Sequence, residues 1–290
     1  MHLRAVGVAF LAALAFAVPS SVRAAGPIGV VAAENFYGEL AGDIGGGHVK
    51  VTSILSNPDD DPHLFESSAS TARAIADAEI VISNGADYDP WMEKLLSASP
   101  KPDRASIVAA DLTGHKSGDN PHLWYDPLTL PAVAAALEAQ LAKRDPANAP
   151  TFKDNLAKFI ASLAPVAAKV AEIKAAHVGA EVTATEPVFG YMAEALGFKM
   201  LNYDFQVATM NDTEPSPSQV AGFEQSLKSG GAKILFYNSQ VTDDTTTRLL
   251  KLAGDSRVKV IGVTETEPRG RTIVTWFLGQ LNEIEAALQP

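Results

Sequence analysis

The sequence predicts an α/β protein of two lobes with mainly parallel sheets, joined by one long backbone helix and separated by a cleft. Three observations predict it. Apolar strand-like runs alternate with helical patterns over residues 28–109, a second alternating block runs from Glu181 to the end, and an apolar stripe at spacings of three and four lies between them.

In the first block, strands are expected over Ile28 to Ala32, Val49 to Leu55, Glu79 to Ser83 and Ser106 to Ala109, with Ala-rich helical segments between them. Serines suited to capping open a helix over Ser67 to Ala78, which places Ala72, Ile75 and Ala76 on one face. The stripe Phe152, Leu156, Phe159, Leu163, Val166, Val170, Ile173 predicts one long amphipathic helix, kinked at Pro165. In the second block, strands are expected over Glu181 to Ala184, Lys233 to Tyr237 and Val258 to Val263. Helices are expected over Ser218 to Lys228, Thr245 to Ala253 and Val274 to Leu288. The boundaries are a leader over 1–24, a first lobe over 25–146, a linking helix over 147–177 and a second lobe over 178–290. No internal sequence repeat is visible. Loops at the carboxyl ends of parallel strands line such a cleft, which is where chemistry is expected.

The leader has a basic start at Arg4, an apolar run from Val6 to Val18 and small residues before Ala25, the pattern of a cleaved export signal. The apolar run is shorter than the roughly 20 residues a membrane-spanning helix needs. Losing Arg4 and Arg23 takes the formal charge from -11 to -13. So acidic a surface disfavours nucleic acid and anionic lipid and favours cations. The chain has no cysteine, which excludes disulfides, thiolate ligands and a lipid-modified cysteine. A freely diffusing periplasmic protein is expected.

Two of the six histidines have unusual settings. His63 lies in NPDDDPHLFE (57–66) and His122 in DNPHLWYDP (119–127), both proline-bounded loops. Proline restricts the backbone beside each histidine and lowers the entropy cost of holding an imidazole ready for an ion. A single loop histidine is more often a satisfied surface group; the repeated Pro-His-Leu-aromatic pattern favours a metal site.

These segments closely resemble the two histidine motifs of the periplasmic zinc- and manganese-binding receptors of ABC importers, the cluster 9 metal receptors. NGADYDPWMEKLL (84–96), TEPVFGYMAEALG (185–197), EPSPSQV (214–220) and the central helix extend the resemblance over the mature chain. The resemblance implies a metal held in the cleft by one residue from each of four loops, two per lobe. The implied ligands are His63, His122, Glu186 of EPVFGY and, in VTETEP (263–268), Glu265 with Glu267 as the fallback. The family usually has aspartate in that last loop, and this chain has none there. The implied cargo is a divalent transition metal, Mn2+ or Zn2+ or Fe2+, with the glutamate third ligand leaning towards manganese. Two imidazoles and two carboxylates accept all three ions.

Asn238, Gln240, Tyr88, Asn84 and Asn211 are candidates to orient the ligands, with ordinary turn or capping roles at least as expected for each; Phe65, Trp124, Phe189 and Tyr191 are candidates to wall the cleft, with core packing the equal alternative. The implied partner is an ABC permease in the inner membrane, the protein acting as a monomer and not as an enzyme. A metallochaperone or sensor could use the same ligands without a permease. A metallohydrolase would need an open coordination position and a base, and no HExxH, GxSxG or nucleotide loop is present. Mass spectrometry of the exported chain is expected to find Ala25 at its start; an exported chain that retains residues 1–24 would contradict the leader reading.

Overall fold

Four parallel strands with crossover helices form each lobe in the computed structural model, which describes residues 26–59, 62–211, 213–241 and 244–289; the expected leader, 1–24, lies outside these. In the first lobe, β1 (Ile28–Glu34) is apolar and buried on both faces, as a central parallel strand must be. Helix α1 (Asn35–Gly45) follows and buries Phe36, Tyr37, Leu40, Ala41 and Ile44. Then come β2 (Val49–Leu55), α2 (Ala69–Asp77), β3 (Ile80–Ser83), α3 (Pro90–Ala98), β4 (Ala105–Val108), α4 (Ala109–Thr113) and α5 (Thr129–Arg144). The sheet order is β2-β1-β3-β4. Ser68 caps α2 by accepting from the Thr71 amide at 3.1 Å, as the serines predicted.

The expected linking helix is two helices, α6 (Ala149–Ser162) and α7 (Ala164–His177). Pro165 has no amide hydrogen to give the carbonyl four residues back, and its ring collides there. The first helix therefore stops, Leu163 makes the joint, and the second restarts with proline in its first turn. The predicted stripe still faces inward, with Phe152, Phe159, Val166 and Ile173 buried.

The second lobe contains β5 (Glu181–Ala184), α8 (Gly190–Ala195), β6 (Lys199–Leu201), α9 (Tyr203–Met210), α10 (Pro217–Lys228), β7 (Ile234–Asn238), α11 (Asp244–Asp255), β8 (Lys259–Val263) and α12 (Ile273–Leu288). Its order, β6-β5-β7-β8, repeats that of the first lobe without a visible sequence repeat. Among the described residues no helix is long and apolar enough to cross a membrane.

The lobes share one apolar core. Phe36, Trp124 and Tyr125 of the first lobe meet Phe189 of the second and Trp276 and Phe277 of α12. Ring centroids lie 5.0 Å apart for Tyr125 and Phe189, 5.6 Å for Tyr125 and Trp276, and 6.0 Å for Phe36 and Trp276. Such pairs add about 0.5–1.5 kcal/mol each beyond the area they bury. Polar ties join the same boundary. The Asn35 side chain exchanges two hydrogen bonds with the backbone of Glu267, at 2.8 and 2.9 Å. The Tyr125 hydroxyl donates to the Thr264 carbonyl at 2.9 Å and accepts from Gln280 Nε2 at 2.8 Å. Tyr125→Phe leaves both buried partners unmatched and should lower unfolding stability by about 1–3 kcal/mol in a urea titration; an unchanged midpoint would contradict this account of the lobe boundary.

Candidate metal centre

The carboxyl ends of the second lobe's strands point at the boundary and carry three polar residues there. Glu186 follows β5, Asn238 ends β7 and Glu265 follows β8. Asn238 Nδ2 donates to Glu186 Oε2 at 2.9 Å and also to Glu265 Oε1, so one amide holds both carboxylates. Its own oxygen accepts from the Gln240 amide at 3.1 Å, which fixes the orientation. Gln240 Oε1 in turn accepts from the Glu265 and Thr266 amides, fixing the backbone that presents Glu265.

From the first lobe, His122 enters on the loop between α4 and α5. Its Nε2 lies 3.6 Å from Glu265 Oε2, and both side chains are fully buried. Two donors each about 2.1 Å from one ion, at an angle near tetrahedral, lie about 3.4 Å apart. The observed pair is therefore spaced as two ligands of one cation would be. His122 Nδ1 lies 2.7 Å from Asn120 Oδ1, which also accepts from the His122 amide at 3.2 Å. Asn84 holds the same loop by donating to the Pro121 carbonyl at 2.7 Å, while Tyr37 donates to Asn84 Oδ1 at 3.0 Å.

Tyr88 is brought to the site by a strained turn. Gly85, Ala86 and Asp87 have φ of 75°, 51° and 66°, three consecutive left-handed residues. The Asp89 carboxylate secures the turn by accepting from the Asn84 and Gly85 amides at 2.7 and 2.8 Å. Burial pushes the Asp89 carboxyl up to about 6, against the pull of those amides. The Tyr88 ring sits 6.0 Å from the His122 ring. Burial and the charges of Glu265 and Glu34 hold its phenol well above the usual range, so it remains protonated.

The geometry treats the expected residues unequally. His122 meets Glu265 and Glu186 is tied to Glu265 through Asn238, whereas His63 lies on the 3-10 turn Pro62–Leu64 with its side chain outside the described residues. Among the described residues no group of three or more histidine, aspartate or glutamate side chains is placed to hold a metal ion. Glu267, the fallback ligand, is directed to Glu39 and Asp43 instead. Burial and the hydrogen bond and charge of Glu39 push its carboxyl up to about 9. Asn84, Gln240, Asn238 and Tyr88 surround the site as expected, but Asn211 caps the end of α9. Of the aromatic residues, Trp124 stands 5.3 Å from the His122 ring and Phe65 lines the mouth, while Tyr191 donates to the Asn120 carbonyl at 2.8 Å. Phe189 is not a wall residue; it is core, packed between Tyr125 and Phe236. Asn120 itself escaped sequence reasoning. The Asn-Pro pair reads as an ordinary turn, and only its place two residues before His122 hinted otherwise.

A cavity of about 690 Å³ leads to Gln240 and Thr266 beside Glu265, flanked on the first lobe by Asn57, Asp59 and Phe65. Arg269 bridges its rim, bonding Asn57 and approaching Asp59 at 3.4 Å.

Residues 30–287 match the family model described as ZnuA, zinc-uptake complex component A, periplasmic. The manganese-binding lipoprotein MntA of Bacillus subtilis is 30% identical over 183 residues, covering 59% of this chain and 58% of MntA, less than two thirds of that relative. The iron-binding protein YfeA of Yersinia pestis is 24% identical over 72% of this chain and 68% of its own. The fold is shared with the Mn2+ complex of the binding protein FpvC from Pseudomonas aeruginosa. There the TM-score is 0.74 at 19% identity, over 91% of this chain and 98% of that one. With residues 30–287 matched by that model, the chain belongs to the zinc-uptake complex component A family of periplasmic proteins.

Proposed function

We propose that this protein captures a divalent transition-metal ion in the periplasm and hands it to the permease of an ABC importer in the inner membrane. The observation that carries the proposal is the meeting of His122 and Glu265, from opposite lobes, at 3.6 Å in a site sealed from water. Glu186 joins them through the shared Asn238 amide. His63, on the loop beside the cavity mouth, is the proposed fourth ligand.

The chemistry of this set fits a cation. Two buried carboxylates beside a neutral imidazole carry negative charge that the interior solvates poorly, and a dication offsets it. An N,O set of this kind takes manganese, zinc or ferrous iron, the metals for which relatives are named. Glu186 as third ligand leans the reading towards manganese. The ion enters by the cavity between the lobes and sheds water as the protein's ligands replace it. Docking of a monomer on the permease would part the lobes and release the ion. Some relatives are lipoproteins; these 290 residues contain no cysteine for such an anchor, so free diffusion in the periplasm is part of the proposal.

The test is elemental analysis and competition titration of the metal-stripped protein against Mn2+, Zn2+ and Fe2+. One ion per chain is expected, with affinity lowered at least about 10–100-fold in His122→Ala and in Glu186→Gln, the range that even outer partners of metal ligands command. Affinity should fall as pH drops through imidazole protonation, about pH 6 to 7 by reference values, because the ligands bind deprotonated. No stoichiometric ion in the wild type, or no response to either substitution, would contradict the proposal.

A further inference from the structure

Asn120 touches the ligand loops of both lobes with one side chain. Its Oδ1 accepts from the backbone amide of His122 at 3.2 Å, and its Nδ2 donates to the carbonyl of Pro187 at 2.8 Å. A backbone amide only donates and a carbonyl only accepts, so these contacts fix which end of the amide is which. Asn120 Oδ1 therefore faces His122 Nδ1 at 2.7 Å as an acceptor. The proton of a neutral His122 then sits on Nδ1, and Nε2 presents its lone pair towards Glu265.

The other partners of Asn120 lie on the second lobe, on the residues directly after Glu186. Pro187 accepts from its side chain and the Tyr191 hydroxyl donates to its carbonyl at 2.8 Å. Between these, Gly190 leaves the space the amide occupies: a Cβ there would stand 2.8 Å from Asn120 Nδ2, although the Gly190 backbone, at φ -55°, suits any residue. The ring that must bind metal is thus held by a group that is itself held by the opposite lobe.

We infer that Asn120 is a positioning residue that makes the metal-ready state of His122 depend on closed lobes, so that drawing Pro187 and Tyr191 away frees amide and imidazole together and lets the ion go. This rests on the metal-receptor reading above. Each lost bond is a modest term alone, but the ring loses its fixed tautomer as well as its orientation.

The test pairs nitrogen-resolved NMR of the histidine rings in metal-free protein with stopped-flow loss of Zn2+ to a chelator. In the wild type His122 should show the Nδ1–H tautomer. Asn120→Ala should lose that preference and release Zn2+ about 10–100-fold faster. Asn120→Asp keeps an acceptor for Nδ1 but no donor for Pro187, so it should keep the tautomer and still release Zn2+ faster. Gly190→Ala, which alters no ligand, should also release Zn2+ faster by displacing the Asn120 amide, with thermal stability of the metal-free chain undiminished. If Asn120→Ala does not fold, the other two variants carry the comparison. Release rates within about twofold of wild type across the folded variants, or an unchanged tautomer in Asn120→Ala, would overturn the inference. A wild type that binds no Zn2+, Mn2+ or Fe2+ would instead sink the receptor reading, and the tautomer comparison would still decide whether Asn120 sets the ring.

Discussion

The site depends on how Tyr125 is clamped. Its ring lies against Phe189 of the second lobe and against Trp276 and Phe277 of the last helix, at centroid separations of 5.0, 5.6 and 5.5 Å. Its hydroxyl holds the carbonyl of Thr264, the residue before Glu265, and Tyr125 itself stands three residues after His122. One side chain therefore sets the spacing between the lobes and the approach of the two loops that supply His122 and Glu265. With interiors packed this densely, the lobes cannot slide a little; they occupy one arrangement or leave it. The shared core and the crossing of α12 argue for small, discrete movement rather than wide hinge opening.

Within that frame the proposed site would be completed by a cation. Glu186 and Glu265 are 5% and 0% exposed, and the amide that holds both supplies only neutral hydrogen bonds. Glu34, buried at the end of β1, is pushed well above the usual carboxyl range by burial and by Asp89. The two carboxyl groups after β5 and β8 are joined by the Asn238 amide, and His122 Nε2 stands 3.6 Å from Glu265 across the lobe boundary. Asn120, Asn238 and Gln240 do the aiming, and none of them is itself a donor to the ion in the proposed set.

The strands were legible because β-branched apolar runs of parallel-sheet type leave a plain pattern; Val49 to Leu55 and Glu181 to Ala184 were read to their ends. The three residues of β6 carry no such pattern and owe their place to pairing with β5. The break at Leu163 was half legible, since proline announces a disturbance but not whether the helix bends or stops. Of the site, the histidine loops stood out because proline flanks them, and Glu186 and Glu265 came through family likeness rather than local chemistry. Spacing could not separate Glu265 from Glu267; in the fold the Tyr125 and Gln240 hydrogen bonds set the loop that brings Glu265 to His122, and Asn35 holds the backbone of Glu267, whose side chain meets Glu39. Asn120 was illegible for a similar reason, its meaning lying in a carbonyl 67 residues away. Phe189 and Asn211 took the scaffold alternative, because an aromatic beside a motif and an asparagine in a loop look alike in sequence whether they serve the site or the scaffold.

The most direct measurement is anomalous diffraction at the metal edge from crystals of the loaded protein. The account predicts a single ion between His122 Nε2 and Glu265 Oε2, with Glu186 and His63 completing its shell. An ion bound elsewhere, or one that leaves His122 and Glu265 in contact without it, would contradict the account.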